Sequence, residues 1–243
     1  MHFFLLASLI GDYGLLLLFA PIMAWFAGRG LIRAFSERKR TEKLRQVAGD
    51  LQLRFETGGA PAVEAELGRF RRIGDWHAIG VRNVMKGSGQ GAEVCVFDFS
   101  GKGDTGRTRK YFTALRFRLP GLQLATFTLQ PEELLHKFFD AGFGDIDFVE
   151  FPAFSEMFLL AGPDEAEVRR LFDRELIGLL ESKPGITIEA RGEEMLIYRS
   201  TKRPEPNAIG AFLSEGLSLF SAFTASRDRT RGALPPPLPG GKN

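Results

Sequence analysis

The side chains whose types and spacing could do chemistry are concentrated in one acidic run. Asp145-Ile146-Asp147-Phe148-Val149-Glu150 has His136 upstream and Glu156 downstream. In an extended chain Asp145 and Asp147 project to the same side, so with His136 they could hold a hard cation or work as an acid/base pair. EF-hand spacing is absent from the run. A solvated loop, or an ion pair to Arg169 or Arg170, is the competing reading.

Two glycine-rich stretches, Lys86–Gly91 (KGSGQG) and Gly101–Gly106 (GKGDTG), have the composition of phosphate cradles. A Walker loop, however, runs from a strand into a helix whose N-terminus faces the phosphate. Both stretches here join two extended segments and read as hairpin turns. Cys95 lies between Val94 and Val96 and reads as a small core hydrophobe. No G-x-S-x-G surrounds Ser155 or any other serine, and His77 beside Trp76 reads as a strand residue with one structural hydrogen bond. One cysteine and three histidines exclude an intrachain disulfide and a cysteine-built zinc or iron–sulfur site, so neither metal nor cofactor is expected.

A last set is cationic: Arg107, Arg109, Lys110, Arg116 and Arg118, with Tyr111 and Phe112 interleaved. Such a strand face suits an acidic protein partner or is simply solvated. Nucleic acid is not the expected partner. Residues 47–226 carry 21 Lys/Arg against 26 Asp/Glu, net −5, whereas collecting phosphates needs a strongly positive surface.

The elements that must position these residues follow from periodicity. Trp76–Met85, Ala92–Phe99, Thr108–Leu119 and Leu122–Leu129 read as a four-stranded antiparallel meander, its last hairpin closed by Pro120-Gly121. Glu93–Phe99 is apolar on both faces, which marks a central strand. Thr108–Leu119 alternates, which predicts one wet face. A short helix from Pro131 carries Leu134, Leu135, Phe138 and Phe139, and Met157–Ala161 reads as a strand. Asp164–Lys183 reads as one helix with a capping box at Asp164 and Glu167. Ile186–Arg191 and Glu194–Arg199 pair about Gly192-Glu193, and Ile209 to Phe223 form a last amphipathic helix. Leu51–Phe55 and a helix near Val63–Leu67 make the first half resemble the second, which raises a degenerate βαββ duplication. The expected fold is α+β, an antiparallel sheet with helices on one face.

Ahead of this body, Phe3–Ala27 is apolar apart from Gly11-Asp12-Tyr13. About 20 apolar residues span a bilayer core. Asp12 is costly at the centre, so residues 13–32 are the expected span, with Pro21 as a tolerated kink. No Lys or Arg precedes the run, while Arg29, Arg33, Arg38, Lys39, Arg40, Lys43 and Arg45 follow it. A signal peptide has the reverse order, so an uncleaved anchor with its N-terminus outside and its body in the cytoplasm is expected, at a bacterial inner membrane. The free thiol of Cys95 fits that reducing compartment. The basic cluster either sets topology alone or also meets anionic lipid headgroups. The organisation is thus residues 1–46 as anchor and juxtamembrane helix, 47–226 as one domain, and 227–243 as a disordered Pro/Gly-rich tail.

The strings Phe97-Asp98-Phe99, Phe127-Thr128-Leu129-Gln130-Pro131-Glu132, Asp145-Ile146-Asp147-Phe148, Phe154-Ser155 through Gly162, and Val168-Arg169-Arg170-Leu171-Phe172 resemble an uncharacterised bacterial family. In that family a short apolar N-terminus precedes one soluble domain. The resemblance spans residues 30–225 and implies bacterial origin and a single domain, and nothing chemical. Two function classes follow. The favoured one is a membrane-tethered, non-enzymatic cytoplasmic module engaging a protein partner or the membrane surface. The alternative is a small-ligand or metal sensor, or an enzyme, using Asp145, Asp147 and His136.

Overall fold

A computed structural model describes residues 25, 28–29, 31–58, 60–70, 77–89, 91–102, 109–132, 144–199 and 203–232. Most of the expected span 13–32, the helix after Pro131 with His136, Arg107, and residues 233–243 lie outside the described residues. The chain divides into two compact units, residues 1–44 and 45–243. Residues 31–50 are helical (α1).

The second unit is built on an eight-stranded sheet: β1 (Arg54–Gly58), β2 (His77–Gly89), β3 (Ala92–Lys102), β4 (Arg109–Arg118), β5 (Leu124–Pro131), β6 (Phe158–Ala161), β7 (Ile186–Gly192) and β8 (Glu194–Arg199). Its spatial order is β1-β2-β3-β4-β8-β7-β5-β6, and every neighbouring pair is antiparallel. With its helices this is an α+β fold. β3 is buried on both faces, as its continuous apolar run requires. β2 extends to Gly89 and β3 begins at Ala92, so Lys86–Gly89 is strand and not turn, with Gly91 at φ +79 just ahead of β3.

The meander contains β1 to β4 and stops there. The Pro120-Gly121 turn does not close a hairpin between β4 and β5, because the β7–β8 hairpin inserts between them. Glu193 at the tip of that hairpin holds the turn: its carbonyl accepts from Leu119 N–H (3.0 Å) and its carboxylate from Gly121 N–H (2.9 Å). β7 and β8 are buried nearly throughout, so the sheet centre suits them better than an edge.

Helices cover both faces, not one. α2 (Pro61–Leu67) lies on the face of Cys95, Phe97 and Ala114, packing through Val63 and Leu67. The other face takes α3 (Pro152–Met157), α4 (Glu165–Leu171), α5 (Arg174–Glu181) and α6 (Ile209–Gly232). On that face Phe117 stacks on Phe220 (5.0 Å) and Phe127 on Phe223 (5.3 Å). The reason lies in the strands: alternate residues of β3 and β4 are apolar on both sides, so each face needs a cover. For the same reason β4 has no wet face over Phe112–Phe117.

Three further expectations are corrected. The helix over Asp164–Lys183 is two helices, because Asp173 caps a new start by accepting from Leu176 N–H (2.9 Å). The first cap is as expected, Asp164 accepting from Glu167 N–H. The domain runs past residue 226: α6 continues to Gly232, and its Arg229 Nε donates to Asp173 (2.9 Å). The duplication is not reproduced in topology. β1 and β2 are antiparallel neighbours, whereas β6 and β7 are parallel with β5 between them.

α6 and the turn before it, Pro206–Thr230, are long and apolar enough to cross a membrane. Phe212, Leu219, Phe220 and Phe223 are buried, however, so the sheet uses that apolarity.

Candidate functional site

The acidic run lies along the β6 edge. Ile146 N–H donates to Leu160 O (2.8 Å) and Leu160 N–H to Asp145 Oδ1 (3.1 Å), while buried Ile146 leaves Asp145 and Asp147 exposed on either side. Burial raises the Asp145 carboxyl above its usual range; the Leu160 N–H opposes this and the Asp147 charge adds to it. Arg169 contacts the run, but its Nη1 donates to the Asp147 carbonyl (2.7 Å) and its ion pair is with Glu165 (2.7 Å). The expected bridge to an aspartate carboxylate is therefore not made by Arg169. His136 lies outside the described residues. Among the described residues no group of three or more His, Cys, Asp or Glu could hold a metal ion.

Cys95 is buried, and desolvation pushes its thiol up to about 12, against a smaller opposing effect of Lys86. It is a core residue with no thiolate near neutral pH.

The cations of β4 do not share one surface. Cross-strand register places Lys110, Arg116 and Arg118 on the face of Ala114, and Arg109 on the opposite face, where it donates to Ser100 Oγ (3.0 Å). Arg116 is only 9% exposed and is held by Glu66 and, at 3.4 Å, by Glu194. A side chain so enclosed is not offered to a partner. Arg118 remains at the surface, 3.5 Å from Glu193 and 3.7 Å from Glu93.

Two arrangements were not anticipated. The first is a buried polar knot. Asp98, 2% exposed, accepts from Asn83 Nδ2 (2.9 Å) and Thr113 Oγ1 (2.6 Å), with Arg203 at 3.8 Å. Asn83 sits at φ +52 in a bulge of β2. The bulge turns its amide toward Asp98. A charge inside the apolar string Phe97-Asp98-Phe99 was the available signal.

The second is a cleft where α2 ends on the sheet. Arg69 and Arg191 line both a cavity of about 140 Å³ and a more open one of about 530 Å³, in which they are joined by Arg118. Arg191 Nη1 donates to the Arg69 carbonyl at 3.4 Å. The cleft's carboxylates are engaged elsewhere: Glu66 and Glu194 with Arg116, Glu193 with the Leu119–Gly121 turn, and Glu189 with the Tyr198 hydroxyl (3.1 Å). Sequence separation hid this site, since Arg69 and Arg191 meet only through the fold.

In the first unit, Trp25, Leu31, Ile32 and Phe35 are between 55% and 72% exposed. The Arg29 guanidinium covers the Trp25 ring at 4.6 Å. Arg29, Arg33, Arg38, Lys39, Lys43 and Arg45 are exposed around and after these apolar side chains, whereas Arg40 is buried and so leaves the expected surface set.

No protein-family model matches this chain, and no curated protein matches it in sequence. The fold is similar to that in the crystal structure of the mycobacterial trehalose monomycolate transport factor A, TtfA, with a TM-score of 0.56 and 15% identity over 84% of this chain and 99% of that one. At that identity the likeness concerns the fold.

Proposed function

We propose that this chain is a membrane-tethered module with no reaction of its own, holding its α+β domain at a bilayer to engage a protein partner or the membrane surface. The observation that carries this is the clustering of exposed apolar side chains. Among the described residues five large hydrophobic side chains are exposed, and four of them, Trp25, Leu31, Ile32 and Phe35, fall within eleven positions that continue the apolar N-terminal run. Water does not retain such a cluster without a cover, and lipid is the cover that its length and flanking cations suit. The cations after it orient the N-terminus outward and the domain inward, at a bacterial inner membrane. The fold shared with a mycobacterial transport factor is in keeping with this reading.

The test is alkaline carbonate extraction with reporters fused to the C-terminus, one active only in the cytoplasm and one only outside it. Retention in the membrane pellet and cytoplasmic reporter activity are expected. Release by carbonate, activity of the outside reporter alone, or a mature chain starting after Ala27 would overturn the proposal. The alternative, a ligand or metal site at Asp145, Asp147 and His136, has the raised Asp145 carboxyl in its favour.

A further inference from the structure

We infer that the cleft between α2 and the sheet binds a small organic anion, its phosphate or carboxylate held by Arg69 and Arg191 and its apolar stem in the adjoining cavity. The inference is independent of the tether and concerns residues that the acidic-run reading does not use. Neither guanidinium has a carboxylate partner among the described residues, although four carboxylates stand nearby. Each of those four is already tied to another group within the fold. What the cleft presents is therefore two guanidinium forks with no carboxylate on them, Arg191 giving one N–H to the Arg69 carbonyl, and such forks take phosphate or carboxylate through paired N–H bonds.

The cavity beside them fixes the rest of the ligand. Its apolar lining comes from Phe70, Ala161 and Pro163, with Thr126 and Thr128 beside them. At about 140 Å³ it is close to the size of cavity that accepts a benzene ring. An apolar pocket with a few convergent polar groups at its mouth is the usual form of a small-molecule site. Glu189 decides the orientation. It lines the same cavity and is buried with Oε1 accepting from the Tyr198 hydroxyl, so an anion placed deep would face another acceptor oxygen, whereas at the mouth it meets Arg69 and Arg191. The charged group therefore sits outward and the stem inward.

The test uses the full chain in lipid nanodiscs, with empty nanodiscs as control, and ligand-observed NMR titration of phenyl phosphate, inorganic phosphate and phenol. Phenyl phosphate should bind at least roughly tenfold more tightly than either fragment. The paired substitution Arg69→Gln and Arg191→Gln should lower phenyl phosphate to the level of phenol without moving the thermal midpoint, since both side chains are exposed. Ala161→Met, which fills the cavity, should lower phenyl phosphate to the level of inorganic phosphate and leave inorganic phosphate unchanged. Equal binding of the three probes, or parental affinity for phenyl phosphate in either variant, would overturn the inference. Membrane retention of the chain reports separately on the tether.

Discussion

The Cys95 thiol and the Asp173 carboxyl show how placement sets the chemistry of one residue. With its thiol held at about 12, Cys95 should be inert to a maleimide at neutral pH in the folded chain and react fully once denatured. Fast labelling of native protein would mean that β3 is not central. Its flanking valines made that placement legible in the sequence. Asp173 was not legible as a cap, because periodicity ran straight through it. Burial alone would raise its carboxyl, but hydrogen bonds from Leu176 N–H, Arg229 and Ser226 outweigh this and hold it below its ordinary range. A depressed carboxyl stabilises the fold above its unfolded pKa of about 3.9, and that contribution is lost as pH falls through the lower folded value. The midpoint difference between the native chain and Asp173→Asn should thus be largest near neutrality and shrink below about pH 4. A difference that stays constant with pH would rule this out.

At the scale of elements, burial and close approach decide more than propensity. Leu171, at the end of α4, is buried against the sheet layer, so Leu171→Ala should cost about 2–5 kcal/mol in a melt. Asp147→Asn should leave the melt unchanged, because only the Asp147 carbonyl is used by Arg169. If that variant instead lost affinity for added calcium while keeping its fold, the ligand reading of the acidic run would gain what the tether reading lost. Gly216 offers a sharper contest. Alanine is favoured over glycine by roughly 1 kcal/mol in a helix, yet a Cβ there would clash with Leu115 Cδ1 and fall 3.2 Å from the Phe117 ring. Both neighbours are fully buried, so Gly216→Ala should lower the midpoint. A raised midpoint would show that α6 stands off the sheet.

For the whole molecule, residues 45–232 should fold without the anchor, since they hold the complete sheet and both its covers. Ending the chain at Ser226 instead should weaken it measurably, by removing the Arg229 bond to Asp173. Equal midpoints for the two lengths would place residues 227–232 outside the fold. The sequence alone determined the local features: the apolar N-terminal run with its cations on one side, the strands by their alternation, the Asp164 cap, and the buried character of Cys95. These depend on neighbours within about one turn or one hairpin, where periodicity carries the information. Only the tertiary structure decided which strand stands beside β4, that both faces are covered, that α6 spends its apolarity on the sheet, and that Arg116 is enclosed while Arg69 and Arg191 meet. Those outcomes rest on pairings between distant segments, chosen by competition among several buried strands for the same neighbours. A pattern repeated in every strand cannot rank its own partners, so register and cover emerge only when the whole core packs.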